Sequence, residues 1–113
     1  MPYVLRSWAS ANADTLVDYL AGCIEGLRWV LNPANEPETI KLVSERLNIS
    51  ADIAAEMVAT AIDPVRGLVK DAVFDLEGFK TVLRLRADFE GRTPALPEKY
   101  FDLSFHRRAL AAL

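Results

Sequence analysis

One cysteine, one histidine, and more acidic than basic side chains leave this chain few routes to chemistry. Cys23 alone can form no internal disulfide, and its position in an apolar stripe predicts a buried small hydrophobe, not a reactive thiol. With His106 as the single histidine, a Ser-His-Asp relay or a multi-histidine metal site is nearly excluded. His106 stands beside Arg107 and Arg108 and reads as a surface residue on a short basic helix. The net charge is −3, and the acidic excess lies before Asp63, the reverse of what nucleic-acid binding requires. No run approaches the roughly 20 apolar residues needed to span a bilayer. The opening MPYVLRSW has too few consecutive basic and apolar residues for a secretory signal. An exported protein would therefore need an exporting segment from elsewhere.

What is present is helix. Over 113 residues, with half the side chains apolar and a quarter charged, the composition is that of one globular unit and not of a disordered chain. The longest periodic stretch is residues 12–32, NADTLVDYLAGCIEGLRWVLN, and the remaining helices should pack around it. Leu16, Leu20, Cys23, Leu27 and Val30 recur at helical spacing, and Val17, Ile24 and Leu31 widen the stripe to a full face. Asp14, Asp18, Glu25 and Arg28 take the opposite side. A third strip carries Tyr19, Gly22, Gly26 and Trp29. Two mid-helix glycines cost about 1 kcal/mol each relative to alanine, so this strip is the candidate surface for a neighbour's close approach.

Tyr3, Val4 and Leu5 are β-prone, and residues 1–11 read as an extended lead-in with no sheet to join. Asn12 is the expected N-cap of the long helix, which should stop near Asn32 and Pro33. Asn35 with Glu38 has capping-box spacing and opens a second helix, with Ile40, Val43 and Leu47 inward. Ser50 opens a third, with Ile53, Ala54, Met57, Val58 and Ala61 inward. The segment DPVRGLVKDAVF then reads as a loop whose apolar side chains must dock somewhere. Asp75 caps a fourth helix with Phe74 and Phe79 at staple positions and Leu76, Phe79, Val82, Leu83 and Phe89 facing inward, and Gly91 stops it. Asp102 or Ser104 caps a last helix, FHRRALAAL. The fold class expected is all-α, about five helices after a short extended segment, in one unit spanning residues 1–113.

Candidate sites follow from residue chemistry only weakly. The two helices joined by Asn48, Ile49 and Ser50 have the outline of a helix-turn-helix. A recognition helix reading ADIAAEMVATAI, however, offers no cation to phosphate and no amide to a base edge. Lys80, Arg84, Arg86 and Arg92 are interleaved with Glu77, Asp88 and Glu90 and read as a solvated face. Asp14, Asp63, Asp75 and Asp102 all have capping or turn roles, so no pair of acids is marked out for catalysis. Trp8, Tyr19 and Trp29 could form an aromatic ligand cage, but aromatics beside glycines on a helix more often pack against a neighbour.

Taken together, WASANADTLVDYLAGCIEGLRWVLNPANEPETIKLVSERLNIS, the loop DPVRGLV, FDLEGFKTVLRLRADFEG and the ending YFDLSFHRRAL resemble the C-terminal portion of ABC-transporter substrate-binding proteins. The subgroup is the nitrate, sulfonate and taurine type, which includes thiamine-precursor binders. No single short motif is diagnostic; the segments in this order are distinctive as a set. The resemblance implies a parent with two α/β lobes that holds a small solute in the cleft between them and passes it to a membrane permease in the periplasm. It implies that this chain supplies scaffold helices to one lobe, without catalysis, cofactor or metal, and that Arg6, Ser7 and Trp8 lie near the cleft or hinge. The alternative is a stand-alone helical module making protein contacts through the Gly22 and Gly26 strip. In either case, helices lacking a covering partner should expose apolar faces and self-associate as homo-oligomers.

Overall fold

The computed structural model describes residues 3–113, and within them the chain is all-α: six helices, three single 3-10 turns and no strand. Helix α1 spans Arg6–Ala11, α2 Ala13–Val30, α3 Glu36–Leu47, α4 Ala51–Ala61, α5 Leu76–Glu90 and α6 Ser104–Ala111. The 3-10 turns are Pro33–Asn35, Lys70–Ala72 and Pro97–Lys99.

The organising helix is α2, as its periodicity predicts. Val17 and Ile24 are buried against Ala109 of α6, with Leu20, Ala21, Phe105 and Leu110 closing around them. Ile24, only 1% exposed, is the largest fully buried side chain. Arg108 of α6 also reaches Asp14 at the start of α2, Nη2 to Oδ1 2.8 Å. Cys23 departs from the expectation, because it is exposed. The neighbouring elements cover an arc centred on Val17, Ile24 and Ala21, and position 23 falls past its edge.

The lead-in is also corrected. Residues 1 and 2 lie outside the described residues, and Tyr3–Leu5 are non-helical, but Arg6–Ala11 form a helix where an extended segment was expected. It runs almost directly into α2. The Asn12 N–H bonds to Trp8 O at 2.9 Å and the Leu16 N–H to Asn12 O at 3.0 Å, so the backbone ladder crosses the joint. Asn12 consequently does not cap with its side chain; its Nδ2 donates back to Trp8 O at 3.0 Å.

The other helix ends follow local chemistry more closely. Ser50 accepts from the Ile53 N–H, and Asp75 from the Gly78 N–H at 2.9 Å. Gly91 ends α5 at φ +67°, the left-handed geometry that glycine adopts freely. Asn35 is an exception: its side chain donates to Trp29 O at 2.9 Å and does not cap α3. The 3-10 turn Pro33–Asn35 leads into α3 instead, begun by Asn32 Oδ1 accepting from the Ala34 N–H.

α3 and α4 form a tight hairpin in which Thr39, Ala54 and Val58 are buried. The Ser44 hydroxyl fastens the turn by donating to Ile49 O at 2.7 Å. On α5 the buried residues are Leu83 and Ala87. Val82 and Phe89, expected inward, are 59% and 94% exposed, and Leu47, Ile53 and Met57 of the hairpin are exposed too. The apolar loop residues Val65, Leu68, Val69 and Val73 likewise remain in solvent. α3, α4 and α5 thus have more apolar circumference than their neighbours cover.

Candidate functional site

A groove of about 700 Å³ opens where the two ends of the described chain meet. One wall comes from Tyr3, Arg6 and Trp8, the floor from Leu16, Tyr19 and Leu20 of α2, and the far wall from Tyr100, Phe101, Phe105 and His106. Arg6 closes the end by donating from Nη2 to Lys99 O at 2.8 Å and to Glu98 O at 3.3 Å. The 3-10 turn Pro97–Lys99 is what presents those carbonyls side by side.

Aromatic rings hold the far wall in place. Phe74 lies 5.4 Å from Phe79 and 4.7 Å from Phe101 between ring centroids, and Phe79 meets Tyr100 and Phe101 edge-on at 6.2 and 6.0 Å. The Phe74 and Phe79 contact is the staple that the α5 sequence predicts, and it extends here into a four-ring cluster. The cluster ties the loop before α5, the first turn of α5 and the Tyr100–Phe101 pair into one body.

A polar crossroads sits beside the groove at Asp71. Its carboxylate takes the Arg28 guanidinium, Nε to Oδ1 2.7 Å, while its carbonyl accepts from His106 Nε2 at 2.7 Å. The Arg28 hydrogen bond, with nearby Lys70 and His106 charge adding to it, holds the Asp71 carboxyl below its ordinary range, and Arg28 is raised in turn. Asp71 and Ala72 both have positive φ, 57° and 51°, a conformation that costs a residue with a Cβ roughly 1–2 kcal/mol. His106 is therefore half-buried and bonded to a loop, in place of the surface residue expected.

The groove's one carboxylate, Asp102, is lowered by the Ser104 hydroxyl and by the Ser104 N–H at 2.9 Å, which makes it a helix-start residue. Asp63 is lowered by the Arg66 and Val65 N–H groups in the same manner. Glu90 is lowered chiefly by Arg86, 3.0 Å away, and also lies against Arg92. Lys80 pairs with Glu77 at 3.1 Å, so this side of α5 is the interleaved charged face predicted. Among the described residues no group of three or more His, Cys, Asp or Glu side chains is arranged to hold a metal. The groove's walls are mostly apolar side chains and aromatic rings, with Arg6, Asp102 and His106 among them.

The sequence candidates divide between two places. Arg6, Trp8 and Tyr19 line the groove; Ser7, exposed on the same short helix, does not. Gly22, Gly26 and Trp29 lie farther along α2, outside it. Nothing comes within 4 Å of a Cβ added at either glycine, so that strip is open in the isolated chain. Tyr19 belongs to both places, and its hydroxyl is raised above its ordinary pKa by the adjoining Cys23 thiol. Sequence reasoning missed Phe101, Tyr100 and His106 as wall residues. The adjacent aromatics of YFDLSF were the available signal, but the segment had no periodicity from which to orient them.

Comparison with protein-family models, with curated proteins and with solved structures finds no match for this chain. No helix among the described residues is long and apolar enough to cross a membrane.

Proposed function

We propose that this chain is the C-terminal helical portion of a solute-binding component of an ABC importer, providing scaffold helices to one lobe of a larger protein. The observation that supports this reading is the amount of apolar surface without a partner: the faces of α4 and α5, the loop after α4 and the groove between the chain ends all lie open. Helices of this kind normally lie against a sheet or another helix layer. In the parent, the permease and the missing lobes are the partners, a small solute is the cargo and the periplasm is the compartment. The chain itself contributes neither catalysis nor a bound cofactor.

Arg6 and Trp8 stand at the groove's edge, where a preceding crossover segment would enter, consistent with a hinge-proximal position. Genomic context tests the reading. An adjoining reading frame for the remaining lobes, beside permease and ATPase genes, is the expected result; a locus without transport genes would overturn it. Titrating nitrate, sulfonates and pyrimidines against the isolated chain by calorimetry should give no heat, because scaffold helices alone do not form the solute cleft. The open strip of Tyr19, Gly22, Gly26 and Trp29 favours a second reading, a helical protein-interaction module without a transport role. Loss of partner capture on Gly22→Leu would select it.

A further inference from the structure

We infer that two copies of this chain pair through α5, antiparallel about Leu85, with Phe89 of each inserted into an apolar slot on the other. Along α5, Val82, Leu85 and Phe89 stand at i, i+3 and i+7, the spacing by which a helix anchors into an apolar surface. They are 59%, 61% and 94% exposed, while Leu83 and Ala87 on the opposite side are buried. The stripe itself includes no charge. Gly78 continues it toward the N-terminal end; the ion pair of Lys80 with Glu77 lies off it, and Arg86, one turn after Val82 and paired with Glu90, borders it.

The same helix carries a receptor for its own protruding ring. Phe79 and Val82, with Leu27 of α2 and Leu68, Val69 and Val73 of the intervening loop, line a slot of about 480 Å³ beside the N-terminal half of α5. Phe89 projects from the C-terminal half. Knob and slot are two turns apart, about 10 Å along the axis. Reversing one helix over another about Leu85 therefore brings each Phe89 to the partner's slot at once. That reciprocity is the condition for a closed two-fold interface, since the contact from knob to slot is made twice and leaves no free end.

The area available agrees with this occupant. The chain exposes 8568 Å², whereas a compact chain of its mass exposes about 6,200 Å². The excess of roughly 2,400 Å² belongs to the whole elongated chain, the open stripe and slot of α5 being one part of it, and each partner of a standard interface buries 800 Å² or so. The inference does not rest on the proposed function: it concerns the isolated chain, in which nothing covers α5, whereas in a larger parent that face would lie against another layer.

Sedimentation or light scattering of the full chain should return the mass of two copies at micromolar concentration. Phe89→Asp should weaken the dimer at least tenfold with helix content unchanged, because that side chain touches little of its own chain. Val65→Asp, an equally exposed site on the loop, should leave the dimer intact. In a Cys23→Ser background, Leu85→Cys should give an oxidised cross-linked dimer, because a residue on the two-fold axis faces itself. A monomer, an open series of larger species, indifference to Phe89→Asp, or no cross-link at residue 85 would each overturn the inference. None of these results bears on gene neighbourhood, so failure here is distinguishable from failure of the transport reading.

Discussion

At the scale of single residues, the positions that matter are those where backbone geometry leaves no slack. Gly67 is one. A Cβ there would press into the carbonyls of Ala61 and Asp63, the groups that receive the Leu68 and Gly67 N–H bonds at 2.7 and 2.8 Å. Gly67→Ala should cost about 1–3 kcal/mol, read from the urea midpoint or from faster amide exchange after α4. Asp71 is another. Its carboxyl is lowered by Arg28, so its contribution to folding is fully present above the ordinary aspartate pKa of about 3.9 and is lost as pH falls through the lower folded value. Protection of the Lys70–Ala72 amides, relative to their intrinsic exchange rates, should fall below about pH 4 and, in Asp71→Asn, should be low at neutral pH too. Added salt should weaken the anchorage, since both partners are partly exposed. Glycine and proline positions of this kind were legible from the sequence. The Asp71 crossroads was not, because Arg28, Asp71 and His106 come from three separate elements and no local pattern links them.

At the scale of elements, the sequence was informative wherever a helix had a repeating stripe and a terminal signal. The spans of α2, α4 and α5 follow from apolar spacing, Ser50, Asp75 and Gly91. α1 was hidden: six residues are too few to show a period, and Asn12 resembles a helix start when it is the joint of a continuing ladder. Periodicity also overstated burial. It identifies the apolar side of a helix, not whether anything lies against it, so Val82, Phe89, Ile53 and Met57 read as core yet face solvent. The α2 and α6 pairing is where the packing is closest, and it yields a contrast between two substitutions. Ile24→Ala should cost about 2–5 kcal/mol by emptying the centre of that contact. Arg108→Ala should change stability by less than about 1 kcal/mol although its bond to Asp14 measures 2.8 Å, because Asp14 is almost fully exposed and surface pairs contribute little. Paired denaturant curves at one protein concentration check both; equal losses would mean that apolar contact is not what joins the helices.

At the scale of the molecule, shape is the dominant fact. The radius of gyration is 17.4 Å over extents of 48 × 36 × 23 Å, against about 13 Å for a compact chain of this length. A small closed core around Val17, Ile24 and Ala109, an aromatic cluster and a separate α3–α4 hairpin share one chain without one common interior. Such an arrangement gains little from burial within a single copy, so a second layer of protein should supply much of its stability. Association then couples to folding by mass action. Melting followed by circular dichroism should therefore shift upward with each tenfold increase in concentration, by a few degrees, since about 1 kcal/mol moves the midpoint of a chain this size by roughly 4–8 °C. Phe89→Asp should flatten that dependence and lower the midpoint at high concentration while leaving the dilute limit unchanged. A melting temperature independent of concentration would show that each copy is self-sufficient, and the uncovered apolar faces would then need an explanation other than a missing partner.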